Sequence, residues 1–335
     1  MALWPSVSAR WLFSKFESDD RPNMAETPRR ILITGASGFV GRHLTAALAA
    51  AYPDTALLTH PIDVRDRDMV AAVVQEASPD VCIHLAAVST VRGAERDEDH
   101  AWQVNLHGTL HVARAMLRHA PDCLMLFISS ADAYGYSFHT GIPVTEDVAL
   151  APISTYAASK AAADLALGSM AAHGLRCVRL RPFNHTGPGQ SEQFVVAAFA
   201  RQIARIAAGL QPPLLEVGNI DTRRDFLDVR DVCSAYLACI KQAAALAPGT
   251  ILNLGSGHAR KIGDILAEMQ GLAGVTLEVR VDPTRARKSD VASACGNATL
   301  VRESLGWAPA IPWQRTLQDV LDDWRDRVSA APGES

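Results

Sequence analysis

The run Ile31-Leu32-Ile33-Thr34-Gly35-Ala36-Ser37-Gly38-Phe39-Val40-Gly41 constrains the fold more than any other stretch of the chain. A short β-branched segment passes without a spacer into an alanine-rich helical one, and glycines at three-residue spacing occupy the junction. Gly35 permits the tight turn, Gly38 lets backbone N–H groups approach a pyrophosphate, and Gly41 permits close packing of helix on strand. Ser37, Phe39 and Val40 fill the other positions of the same dinucleotide-binding loop. The spacing is GxxGxxG, not the strict GxGxxG, so the run draws its weight from its place at the first strand.

From Arg29 onward, short apolar runs alternate with helical stretches, the pattern of βαβ units in a parallel sheet. Strands are expected at Arg30–Thr34, Thr55–Thr59, Val81–Leu85, Cys123–Ser129, Leu175–Arg181 and Ile251–Leu254. Helices are expected at Gly38–Ala51, Arg65–Glu76, Asp99–His119, Thr155–His173 and Phe194–Ala208. The fold class is therefore α/β: a Rossmann-type doubly wound sheet from residues 29–183 and 229–255, with a smaller, largely C-terminal substrate-binding lobe from 184–228 and 256–330. Ligands of such sheets bind beyond the carboxyl ends of the strands, so the cleft between the two parts should hold the substrate.

The first 28 residues set Trp4, Trp11, Phe13 and Phe16 among Ser, Lys and Arg, without the long apolar run of a signal peptide. We expect a disordered or non-native extension with Met24 as the natural start; an amphipathic membrane-surface segment is the alternative. A net charge of -4 with 20% charged residues and no long basic tract argues against nucleic acid as a partner. The six cysteines form neither a CxxC pair nor a cluster with zinc spacing and read as buried thiols of a reducing, cytoplasmic compartment. No metal site is expected, and no apolar run is long enough to cross a membrane.

An acidic residue at the end of the second strand normally takes the adenosine ribose hydroxyls. Here Thr59 and His60 stand there, which leaves the coenzyme open between NADP(H) and NAD(H). Asp63 and Val64 are placed to contact the adenine, although Asp63 could equally cap the following helix. Tyr156-Ala157-Ala158-Ser159-Lys160 puts a phenol and an ammonium on one helix face, where the cation should lower the phenol's pKa toward the range of an acid/base catalyst. Ser130, at the carboxyl end of the fourth strand, can share a substrate oxygen with Tyr156; alone it would read as a cap.

Three further runs, His84-Leu85-Ala86-Ala87, Asn105-Leu106-His107-Gly108-Thr109 and Arg181-Pro182-Phe183-Asn184, complete the set. Together these motifs resemble, over about Arg30 to Arg327, the extended short-chain dehydrogenase/reductases. The resemblance implies a catalytic triad of Ser130, Tyr156 and Lys160. It implies a cofactor lined by Leu85, Ala86, Ala87, Asn105, Tyr156, Lys160 and Phe183, with Lys160 on the nicotinamide ribose, and a substrate held by Asn184. His84 reads as a core histidine bonded to backbone.

The stretches Arg181–Gln190, Val217-Gly218-Asn219, Arg223–Asp231 and Asp282–Asp290 are similar to the branch of that superfamily that reduces GDP-4-keto-6-deoxy-D-mannose to GDP-D-rhamnose. Arg224 and Arg287 are candidates for clamping the diphosphate, because guanidinium forks bind phosphate oxygens bidentately. Alternatively, Arg224 pairs with Asp225 or Asp228. Asp132, two residues past the active hydroxyl and expected to contact the substrate, stands where the related GDP-mannose 4,6-dehydratases carry Glu, but reductases of this branch also carry an acid there; a dehydratase is the alternative, followed by an epimerase. A silent dinucleotide-binding redox sensor is the non-enzyme reading, and the full Ser/Tyr/Lys set argues against it. The expected partners are the GDP-sugar and a second copy of the chain, docked through a four-helix contact of Asp99–His119 and Thr155–His173.

Overall fold

The computed structural model describes residues 27–282 and 291–330. Among these, six strands form a parallel sheet: β1 (Arg30–Thr34), β2 (Ala56–Leu58), β3 (Val81–His84), β4 (Leu124–Ile128), β5 (Cys177–Pro182) and β9 (Thr250–Leu254). Their order is β2-β1-β3-β4-β5-β9, in register through pairs such as Leu32↔Cys82 and Leu126↔Val178. Ile31, Leu32, Ile33, Val81, Cys82 and Ile83 are all buried, as strands covered on both faces require. Successive strands are added in opposite directions on either side of the β1–β3 pair, so the topological switch point falls there.

One face is covered by α1 (Phe39–Ala51) and α8 (Val229–Lys241), whose Leu44, Leu48, Val232 and Tyr236 enter one core cluster. The other is covered by α2 (Arg67–Ala77), α5 (Thr109–His119) and α6 (Thr155–Ala171), through Val74, Met116 and Leu167. The helix expected over Asp99–His119 is continuous but is not α throughout. After α3 (Val91–Arg96) and α4 (Glu98–Trp102), the segment Gln103–Gly108 takes the wide π turn before α5 begins. A π turn inserted in a helix re-aims one side chain, here Asn105.

Beyond β5, the short strand β6 (Asn184–Thr186) pairs with β8 (Arg223–Asp228), which is flanked by β10 (Ala259–Lys261) and β12 (Ser293–Ala294). β7 (Leu214–Val217) pairs with β11 (Glu278–Val281). Helices α7 (Val195–Ala207), α9 (Ile262–Ala273) and α11 (Trp313–Ala330) enclose a separate apolar cluster with these strands, built on Phe199, Ile203, Leu215, Leu266, Leu317 and Leu321. The remaining helix, α10 (Thr299–Leu305), instead sends Val301 and Leu305 into the core of the six-stranded sheet. Among the described residues no helix is long and apolar enough to cross a membrane.

Candidate active site

The glycine run folds as a cradle. Gly35 sits at φ +74°, and a Cβ there would lie 2.7 Å from Ala86 N; one on Gly41 would lie 2.4 Å from Ala36 O. Gly38 caps α1 with extended backbone and no side-chain cap, and the first turn carries no acid. The N–H groups of Phe39 and Val40 are thus left for an external anion at the positive end of the helix. This cradle, at the switch point and floored by Ala86, fits the pyrophosphate of a dinucleotide. Arg42 steadies it by donating to Ser37 O at 2.9 Å and to Gly189 O at 3.0 Å.

Past β2, Asp63 is committed to Arg65, which donates to it at 2.6 to 3.2 Å and holds its carboxyl down at about 2. It is not the cap of α2: Asp66 is, accepting from Asp68 N and Met69 N. Val64 is buried under Gly108, where an added Cβ would come within 2.6 Å of it. Thr59 and His60 are exposed, with no carboxylate at the end of β2.

Ser130 lies just past β4 and caps the 3₁₀ segment Ala131–Thr140, its hydroxyl accepting from Asp132 N at 3.1 Å. Tyr156 stands on the first turn of α6, which Ser154 caps, and Lys160 follows one turn later. Lys160 is only 4% exposed; its ammonium donates to Ile128 O at 2.6 Å and sits 5.1 Å above the Phe127 ring. β4 and α6 thereby bring Ser130, Tyr156 and Lys160 to one edge of the sheet.

The electrostatics differ from the sequence expectation. The Tyr156 pKa is raised, by burial first and by the Asp132 carboxylate second, while the Ser130 hydroxyl beside it favours the phenolate. Lys160 contributes nothing to that shift; its ammonium donates to Ile128 O, and burial pulls Lys160 itself down to about 8 while Asp164 resists. At neutral pH the phenol therefore keeps its proton.

Asn105, fully buried in the π turn, accepts from Val88 N at 2.8 Å and donates to Val88 O and to Ser159 Oγ. It ties the loop after β3, including Leu85, Ala86 and Ala87, to the helix of Tyr156. His84 is a core histidine, but its partners are hydroxyls rather than backbone: Thr34 at 2.7 Å and Thr109 at 3.0 Å. Burial and Lys160 lower its pKa to about 3. Phe183 turns its ring into a small cluster with Phe138, below Gly296, so only its backbone can face a ligand.

A cavity of about 790 Å³ lies between the segment after β3 and the smaller lobe; Val88 and Asn184 line it, and Ser130, Tyr156 and Lys160 do not. Asn184, Arg224 and the start of α7 line one wall; Thr90, Arg92, Arg96 and His100 line the other. Arg224 donates to Arg223 O and Val291 O. The alternative pairings are not formed: Asp225 is held by Ser256, Gly257 and Gly296, and Asp228 by Arg230 and Thr316. Arg287 lies outside the described residues. Arg92 and Arg96 were not singled out in the sequence; their four-residue spacing was the available signal, but a pair of exposed cations on a short helix is ordinary without a cavity beside it.

The profile of the NAD dependent epimerase/dehydratase family matches residues 31–255. GDP-6-deoxy-D-mannose reductase of Pseudomonas aeruginosa is 41% identical over 303 residues, covering 90% of this chain and 98% of that protein. The structure of RMD from Pseudomonas aeruginosa complexed with NADPH superposes with a TM-score of 0.83 at 39% identity, covering 90% of this chain and 100% of that one. UDP-glucose 4-epimerase of Thermus thermophilus in complex with NAD follows at 0.78 and 26% identity, covering 88% and 99%.

Proposed function

Because the chain belongs to the NAD dependent epimerase/dehydratase family, we propose that it is an NADPH-using oxidoreductase that reduces the C4 ketone of GDP-4-keto-6-deoxy-D-mannose to GDP-D-rhamnose. The observation that carries this reading is the likeness, over nearly its whole length, to a GDP-6-deoxy-D-mannose reductase. The site geometry is consistent with it. The end of β2 offers no carboxylate to repel a 2′-phosphate, which favours NADPH while leaving NADH usable.

When bound, the nicotinamide supplies the hydride. The cradle of Gly35, Ser37, Gly38 and Gly41 holds the pyrophosphate, and Asn105 keeps the loop Leu85–Ala87 against it. A ketone oxygen set between Ser130 Oγ and Tyr156 Oη accepts a hydrogen bond from each. Tyr156, kept protonated by burial and by Asp132, gives its proton to that oxygen as it becomes an alkoxide. Lys160 supplies the positive charge behind the phenolate that remains. Asn184 and Arg224 hold the sugar diphosphate in the large cavity, with Arg92 and Arg96 as the opposite cationic wall.

The test is nicotinamide oxidation by the wild type and by Tyr156→Phe, with the 4-keto sugar generated in situ. Loss of the phenol should cost ~10²- to 10⁴-fold in turnover without weakening coenzyme binding. Conversion of GDP-mannose to its 4-keto-6-deoxy product, with no coenzyme oxidised, would replace the reductase by a dehydratase.

The chain acts in the cytoplasm as a homodimer. Five of its six cysteines are buried free thiols, as a reducing compartment permits. On α6, Leu165 is 61% exposed, an apolar position that a second copy's α5 and α6 would cover. Light scattering should return the mass of two chains, and a single-chain mass would remove the dimer.

A further inference from the structure

Six hydrogen bonds join the coenzyme loop after β3 to the carbonyl of Tyr156. Ala86 N lies 3.3 Å from Thr34 Oγ1, Thr34 Oγ1 lies 2.7 Å from His84 Nδ1, and His84 Nε2 lies 3.0 Å from Thr109 Oγ1. Thr109 Oγ1 then reaches Asn105 O at 2.7 Å, Asn105 Nδ2 reaches Ser159 Oγ at 3.0 Å, and Ser159 Oγ reaches Tyr156 O at 2.8 Å. Thr34, His84, Thr109, Asn105 and Ser159 are each at most 2% exposed, and none of them lines the large cavity.

The direction of every bond follows from counting protons: a hydroxyl carries one, a neutral imidazole carries one on nitrogen, and a peptide carbonyl carries none. Val88 N donates to Asn105 Oδ1 at 2.8 Å, so the amide nitrogen is the atom that faces Val88 O and Ser159. Thr109 and Ser159 spend their protons on the carbonyls of Asn105 and Tyr156. Thr109 must therefore accept from His84, which puts the imidazole proton on Nε2 and leaves Nδ1 to accept from Thr34. Thr34 in turn takes the Ala86 N–H. Burial keeps His84 neutral, as this count requires. All donors then point one way, from the coenzyme loop toward Tyr156, and no side-chain proton in the chain lacks an acceptor.

The six-stranded sheet does not need this chain for its register, because Thr34 and His84 are already partners in the β1–β3 ladder. What the chain adds is a joint from that sheet to the first turn of α6. A serine bonded to a carbonyl of the preceding turn would alone be an ordinary helix contact. Here Asn105 grips it from the π segment while holding both backbone groups of Val88, so a shift of the Tyr156 turn would leave buried donors unmade. We propose that Ser159 is a positioning residue that, through Asn105 and the chain ending at Ala86, fixes the turn bearing Tyr156 against the coenzyme loop. The inference rests on the reading of Tyr156 as the proton donor.

The joint can be read without substrate. Nitrogen-15 histidine spectra of the full chain, with His84→Gln assigning one of its eleven histidines, should show a neutral imidazole protonated at Nε2. The Nδ1–H form would overturn the chain. In Ser159→Ala, amide exchange at Val88 should quicken ~10-fold while that at Leu126 in β4 stays as it was. With the keto sugar, the same variant should lose ~10-fold or more in kcat, hold its NADPH affinity within about twofold, and show a larger solvent deuterium isotope effect, because a displaced phenol gives up its proton more slowly. Thr109→Val should repeat this pattern, and Thr109→Ser should restore it. Unchanged Val88 exchange, an unchanged kcat, or kcat and NADPH affinity falling together overturns the proposal. If Ser159→Ala does not fold, the Thr109 pair decides by the same readings. A wild type that turns over no keto sugar, with Val88 exchange quickened in Ser159→Ala, would sink the functional reading and leave the joint standing.

Discussion

The six-stranded sheet and the four-stranded sheet beside it assemble their polar centres in different ways. At the edge of the first, Ser130, Tyr156 and Lys160 each follow directly from a strand end or a helix start, and each lies in a short run with its own signature. In the second, the centre is Asp225 on β8, and its partners come from elsewhere in the chain. Ser256 N at 2.8 Å, Ser256 Oγ at 2.5 Å and Gly257 N at 3.0 Å come from the loop after β9, and Gly296 N at 3.3 Å comes from beyond β12. Local sequence can encode the first kind of centre. The second kind exists only after residues 31 and 71 positions apart have met.

The hardest test of that contrast is Asp225→Ala. It strips the acceptor from three backbone N–H groups and a hydroxyl in a site with no exposure. At ~1 kcal/mol or more for each buried donor left unmade, the variant should lose at least ~3 kcal/mol in urea unfolding. Ser130→Ala, by contrast, removes one cap bond and should cost ~1 kcal/mol while nearly abolishing turnover. If both lose the same stability, the four-stranded sheet is held by its local contacts and the contrast fails.

His84 sharpens the comparison from the other side. Its neighbours Thr34 and Thr109 belong to motifs visible in the sequence, yet the latch they make crosses β1, β3 and α5. The imidazole's folded pKa, about 3, lies below its ordinary value near 6.5. The unfolded chain therefore binds more protons between those values, so this contribution is complete above pH ~6.5 and is lost as pH falls toward ~3. Unfolding free energy should drop by ~1.5 kcal/mol from this residue between pH ~6.5 and pH ~5. His84→Gln should lack that part of the slope, and parallel slopes would mean that the ring can take up a proton in place.

How much could be read in advance follows the same division. The order of strands and helices, the glycine cradle and the Ser/Tyr/Lys set were all legible, because period, glycine spacing and residue type specify them locally. The π turn was not: Asp99–His119 reads as a plain α-helix, while in the structure it carries a π segment from which Asn105 reaches Val88 and Ser159. Nor could the sequence show that Tyr156 would be buried beside the Asp132 carboxylate, which raises its pKa instead of lowering it. Asp164 looks like any acid in an alanine-rich helix until β5 brings two arginines to it.

The smallest expected effect tests where local reading stops even within the six-stranded half. Three acids, Asp63, Asp66 and Asp68, precede or begin α2, and sequence alone allows Asp63 the cap. In the structure, Asp66 takes extended backbone and receives Asp68 N at 3.0 Å and Met69 N at 2.9 Å, two of the helix's otherwise orphaned donors. Asp63 closes on Arg65 instead, in an exposed pair of the kind that adds little to stability. Asp66→Ala should therefore cost ~1 kcal/mol, and Asp63→Ala should leave the melting temperature where it was. The reverse result would move the cap of α2 three residues back, from Asp66 to Asp63.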